Sequence, residues 1–117
     1  IITYGRTFSA CAFAYEKLVN SGESVKLIKL NRIIPVCEGA VEAAKNCKDV
    51  YFFEEGIRRG GEGEGFLFDL SKAGFSGKYH LRAIENGFVK QASVESLLHK
   101  YGFDEEGVLS FVTSAED

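Results

Sequence analysis

Two adjacent carboxylates, two adjacent guanidinium groups and five glycines crowd into EEGIRRGGEGEGF, residues 54–66. Such a set could do two kinds of chemistry. A glycine-rich loop that opens onto a helix N-terminus offers free N–H groups to a phosphate or another anion. A pair of glutamates can act as general acid and general base. The candidate residues are Glu54, Glu55, Arg58, Arg59, Gly60, Gly61 and Gly63, either as an anion loop or as an interface.

Spacing and charge test both ideas. A dinucleotide fingerprint needs G-x-G-x-x-G. Counting from Gly61 and Gly63 its third glycine falls on Phe66, and counting from Gly63 and Gly65 it falls on Phe68. A P-loop needs a lysine after its second glycine, but Gly56 and Gly61 are followed by Glu62. Four glutamates (54, 55, 62 and 64) stand against two arginines, so the stretch is net negative. Carboxylates at a helix start suit the helix dipole and repel a phosphate. Adjacent residues of a strand point to opposite faces, so Glu54 and Glu55 are poorly placed to share one substrate. The expectation is architectural: the glycines allow a tight bend and close packing against another domain or chain. One glutamate holds loop amides where the strand enters solvent, and the arginines pair with the glutamates or reach a partner subunit.

Other reactive side chains form no set. His80 lies in an alternating run and His99 on the polar side of an expected helix, with no nucleophile motif or second metal ligand near either. Cys11, Cys37 and Cys47 are odd in number, lack C-x-x-C spacing and fall on apolar helical stripes. They are expected to be reduced, buried thiols, which favours a cytoplasmic compartment. No catalytic, cofactor-binding or metal-binding residue is expected.

The elements that position the loop follow from periodicity. Residues 1–4, IITY, form a short β-favouring run ending at Gly5. Phe8, Cys11, Ala12, Tyr15, Leu18 and Val19 then fall on one helical stripe, closed by NSG at 20–22. SVKLIKL at 24–30 reads as a second strand, and Pro35 opens a helix carrying Cys37, Ala40, Val41, Ala44 and Cys47. VYFF at 50–53 is apolar throughout, as a central strand covered on both faces should be. Phe66, Leu67, Leu70, Ala73 and Gly74 trace a third helix. KYHLRAI at 78–84 alternates and suits a strand nearer an edge. Ser93 caps a further helix with Val94, Leu97, Leu98 and Tyr101, closed by Gly102, and Asp104 caps a last one with Val108, Phe111 and Val112. Alternating strands and helices predict an α/β fold, a single three-layer α/β/α domain over residues 1–117 with a mostly parallel sheet.

Bulk properties agree. The chain has 117 residues, 45% hydrophobic and 26% charged, an ordinary globular composition for one domain. A formal charge of −3 speaks against a nucleic-acid partner, which needs a basic face. No run approaches the roughly 18 apolar residues of a membrane span. Ile1 opens directly into an apolar run in a chain without methionine, so the sequence is expected to be a piece of a longer protein.

The order of these pieces resembles the C-terminal domain of transketolase-like, thiamine-diphosphate-dependent enzymes. IITYGR at 1–6 is similar to that domain's first strand and Tyr-Gly turn, VKLIKLNRIIPV at 25–36 to its second strand, and VYFFEEGIRRGGEGEGF at 50–66 to its apolar strand, Glu-Glu pair and glycine loop. GFVKQASVESLLHKYGFDEEGV at 87–108 is more specific and resembles the closing signature of the 1-deoxy-D-xylulose-5-phosphate synthases. Pro35-Val36-Cys37, Gly63-Glu64, Ile84-Glu85-Asn86 and Ala92-Ser93 depart from that pattern and mark a divergent member. The resemblance implies a non-catalytic domain that packs on the preceding domains and on a second copy in a homodimer. It implies thiamine diphosphate and Mg²⁺ in the parent enzyme, held outside this domain. The parent's product would feed isoprenoid precursor, thiamine and pyridoxal synthesis. Other transketolase-like enzymes, or a stand-alone anion-binding module, are the competing expectations.

Overall fold

The computed structural model describes residues 1–30, 38–57, 61–84 and 102–114. The expected helix at 93–101, Pro35 to Cys37, and Arg58, Arg59 and Gly60 lie outside these residues. Of Glu55 the backbone alone is described.

Four strands form one sheet among the described residues: β1 (Ile2–Thr3), β2 (Ile28–Lys29), β3 (Asp49–Ile57) and β4 (Lys78–Ile84), in the order β2-β1-β3-β4. Every pairing is parallel. The helices are α1 (Phe8–Asn20), which follows a 3₁₀ turn at Gly5–Thr7, then α2 (Glu38–Ala44), α3 (Glu62–Lys72) and α4 (Glu105–Ser114).

Strand parity sorts the core into two layers. Ile2, Val50 and Phe52 face one way and pack with Ala40 and Ala44 of α2 and Phe66 and Leu70 of α3. Tyr51 and Phe53 face the other way and pack with Ala10, Cys11 and Ala14 of α1, and with Phe103 and Val108 at α4. Helices therefore cover both faces, which is the three-layer arrangement. The apolar run at 50–53 is the interior strand β3, with each of its faces covered, and the alternating run at 78–84 is β4, at the edge among the described residues.

Three expectations need correction. The second strand is shorter than 24–30, pairing through Ile28 and Lys29, with Ile28 and Leu30 donating to the Ile1 and Thr3 carbonyls. The buried stripe of α1 is Ala10, Cys11, Ala14 and Leu18, while Val19 is 42% exposed. Small residues win there because α1 lies against α4, and close helix approach favours short side chains. Cys47 follows the end of α2 in a turn and is half-buried; its thiol lies 3.8 Å from the Ala43 carbonyl.

At the last helix, Asp104 accepts from the Gly107 amide at 2.9 Å, the N-cap geometry its sequence predicts. Gly102 has φ of +77°, in the left-handed region that favours glycine.

Candidate functional site

The glycine loop leaves β3 at its carboxyl end, the edge where open parallel sheets place ligands. β3 first slips register. Phe53 pairs with Arg82 and Ile57 with Ile84, so four steps along β3 match two along β4. Such an irregularity bends a strand and re-aims its residues.

Glu54 sits where the slip begins. It shares a face with Val50 and Phe52 and is 1% exposed, so the strand does not enter solvent there. Its carboxylate instead turns to the start of α3. Oε2 accepts from the Glu62 amide at 3.1 Å and Oε1 from the Gly63 amide at 2.9 Å. Tyr4, just beyond β1, donates its hydroxyl to Oε2 at 2.9 Å. Gly61 occupies the N-cap position of α3 in an extended conformation and has no side chain to cap the helix. Glu54 supplies the missing acceptor from the neighbouring strand, and its charge faces the positive end of the helix dipole.

Gly63 is shaped by this contact. A Cβ there would stand 2.4 Å from Leu81 Cδ1 and 2.8 Å from Glu54 Oε1, inside contact distance of both. Its carbonyl accepts from the Tyr79 hydroxyl at 2.6 Å. Burial, and secondarily the Glu54 charge, pushes the Tyr79 phenol well above its usual range, so it stays a donor. Desolvation, then Glu54 and Asp69, raise the Glu62 carboxyl. One buried carboxylate thus ties β1, β3 and α3 together, and a tyrosine on β4 braces the same helix turn.

The arrangement leaves little chemistry for an external anion. Two amides at the α3 start already donate to a carboxylate, and Glu62 and Glu64 add negative charge beside them. No group of three or more His, Cys, Asp or Glu side chains is placed to hold a metal ion among the described residues. Of the sequence candidates, the structure brings Glu54, Gly61 and Gly63 to the same helix start. Tyr4 and Tyr79 were not among them. Strand parity carried a signal for Glu54 itself, because its face is the one that Phe52 buries.

His80 lies on the opposite face. Its Nε2 is 3.0 Å from Asp49 Oδ1, and its ring stacks on Tyr51 with centroids 4.5 Å apart. This is a packed structural histidine at the sheet edge. Cys11 is buried and its thiol is pushed up to about 11, chiefly by desolvation, which makes it unreactive.

The family profile described as transketolase, C-terminal domain, matches residues 1–108. The 1-deoxy-D-xylulose-5-phosphate synthase of Bacteroides fragilis is 29% identical over 115 residues, which cover 97% of this chain and 18% of that enzyme. The synthases of Phocaeicola vulgatus and Bacillus licheniformis are each 28% identical, over 80% and 93% of this chain and 15% and 18% of theirs. The chain therefore spans less than a fifth of the length of these curated relatives. Among solved structures, a split-gene transketolase described as an inactive beta4 tetramer superposes with a TM-score of 0.80 at 21% identity. The match covers 97% of this chain and 36% of that one, and shows a shared fold.

Proposed function

The chain belongs to the transketolase C-terminal domain family, and on that premise we propose that it is the non-catalytic C-terminal domain of a 1-deoxy-D-xylulose-5-phosphate synthase. The parent enzyme condenses pyruvate with glyceraldehyde 3-phosphate and releases CO₂, in the cytoplasm, for isoprenoid precursor, thiamine and pyridoxal synthesis. Thiamine diphosphate and Mg²⁺ serve the parent in its preceding domains. This domain packs on them and joins a second copy in a homodimer, with neither nucleic acid nor membrane as partner. The domain is one unit over residues 1–117, and Glu54, Glu55, Arg58, Arg59, Gly60, Gly61 and Gly63 form an architectural loop facing its neighbours.

The observation that carries this reading is the filled helix start: Glu54 accepts from the two α3 amides that an anionic ligand would need. No helix among the described residues is long and apolar enough to cross a membrane. Titrating thiamine diphosphate with Mg²⁺ into the chain in a calorimeter should give no binding heat, and tight binding would overturn the proposal. For the parent, product from pyruvate and glyceraldehyde 3-phosphate supports the synthase. Activity on xylulose 5-phosphate instead would favour a transketolase, or, with 2-oxoacid substrates, a dehydrogenase E1 β subunit. Thermal stabilisation by phosphate or nucleotides, lost in Arg58→Ala/Arg59→Ala, would favour a stand-alone anion-binding module.

A further inference from the structure

The outward face of α3 is unusual for a surface helix. Phe68 is 63% exposed and Leu67 36%, and Glu64, Gly65, Ser71 and Lys72 are exposed beside them. Gly65 is the informative residue. A glycine within a helix weakens it relative to alanine, so it usually marks a turn or a close approach. Gly63, two residues earlier, has such a reason inside the chain, because a Cβ would strike Leu81 and Glu54. Gly65 has none: a Cβ there meets nothing within 4 Å, and its φ is not positive. The room it leaves opens outward.

The residues around that room are arranged symmetrically. Glu64 and Lys72 lie four positions either side of Phe68, and Gly65 and Ser71 lie three either side. Steps of three and four are the steps that stay on one helix face. Laid antiparallel on a copy of itself and centred on Phe68, α3 places Glu64 opposite Lys72 of the second copy, and Gly65 opposite Ser71. Opposite charges then meet at both ends, two small residues let the helices approach, and the Phe68 rings meet in the middle. The acidic first turn and basic last turn of α3 carry the same complementarity, as do the helix dipoles. A patch that complements itself under a two-fold axis is what an isologous contact requires.

We infer that the outer face of α3 is a self-association surface, and that its occupant is α3 of a second copy of this chain, antiparallel and in register at Phe68. The inference rests on the dimerisation part of the proposed function and assigns that contact to one helix. A single helix pair buries less than the roughly 1,600 Å² of a standard interface, so the isolated chain forms a weak, concentration-dependent dimer.

Sedimentation equilibrium of the 117-residue chain, from micromolar to millimolar protein, tests this at low salt. The wild type should shift from monomer to dimer, and Phe68→Glu should stay monomeric. Lys72→Glu should weaken association by about tenfold, because two like charges then meet at each end. Glu64→Lys/Lys72→Glu should return it to about the wild-type level, since the swapped charges again oppose each other. Gly65→Leu should weaken association while raising the melting temperature, which separates contact from fold. A dimer of undiminished strength in Phe68→Glu overturns the α3 contact and leaves association by another face. A charge-swapped variant that remains as weak as Lys72→Glu overturns the register. A monomer at every concentration overturns this inference, while the dimerisation reading falls only if the full-length parent also sediments as a monomer.

Discussion

Each face of the sheet carries a cluster of aromatic rings, but the two treat polar groups differently. Against α2 and α3, Phe52 meets the rings of Tyr4, Phe66 and Tyr79, and the polar content is concentrated in one carboxylate with three donors. Against α1 and α4, polarity is spread along the layer. Thr3 Oγ1 bonds Thr7 Oγ1 and reaches the Phe53 carbonyl at 3.1 Å, Cys11 is buried nearby, His80 pairs with Asp49, and Arg82 lies 4.4 Å from the Phe111 ring centroid. The first face hinges on one charge whose loss strands several donors. The second distributes several separate contacts, each joining fewer elements. A buried acceptor shared by three elements is costly to remove because each unmet donor carries its own desolvation penalty.

Substitutions can break this contrast or sharpen it. The largest effect is expected from Phe52→Ala, at about 3–5 kcal/mol by urea unfolding, with Phe53→Ala in the same range, since both rings are fully buried. A much cheaper Phe53→Ala would mean that the α1–α4 layer collapses around the hole and is the softer of the two. Glu54→Ala should cost about 3 kcal/mol and Glu54→Gln about half that, because an amide keeps one acceptor for three donors. Thr3→Val, on the other face, should cost about 1 kcal/mol. Equal losses at Glu54 and Thr3 would erase the distinction.

Alkaline pH probes the second face through Cys11. Its native pKa, raised to about 11, exceeds its ordinary value, so the neutral thiol favours the folded state. That contribution is complete below the unfolded pKa near 9 and is lost as pH rises towards 11, where the unfolded chain ionises first. Two units correspond to about 3 kcal/mol at most. Stability should therefore fall across this window, and Cys11→Ala should flatten the fall whatever its effect at neutral pH. Tyr79, also raised, contributes a part that Tyr79→Phe removes. A slope unchanged in Cys11→Ala would show that the thiol is not desolvated. Two glycine substitutions should differ in sign along one helix. Gly63→Ala should destabilise by about 1–3 kcal/mol through overpacking, and Gly65→Ala should stabilise by about 0.5–1 kcal/mol.

Much of this contrast was open to sequence reading, and the remainder was hidden for physical reasons. The run at 50–53 announced an interior strand, because four consecutive apolar residues need cover on both faces. Asp104 announced its helix through the cap it forms. The stripe of α1 was misplaced because periodicity weighs large apolar side chains, while the helix contact selects Ala10 and Ala14 for being small. β2 was overextended because β-favouring residues in SVKLIKL run well beyond the two that pair. The site divides similarly. The departure of the glycine loop from both phosphate-binding fingerprints, in spacing and in charge, was legible. Its use of Tyr4 and Tyr79 was not, because those contacts join residues 50 and 16 positions apart.

The carboxylate that joins β1 to α3 also sets a schedule. Tyr4 and Thr3 find their partners at Glu54 and Phe53, 50 residues downstream. At a synthesis rate of about 5–20 residues per second, the first strand waits roughly 3–10 seconds before its permanent neighbour has been made. During that interval Ile2, fully enclosed in the finished protein, has no β3 to cover it. The centre of the sheet contains the first of these four strands to be made, and it stays open until β3 follows, so nascent-chain chaperones should meet this domain at β1.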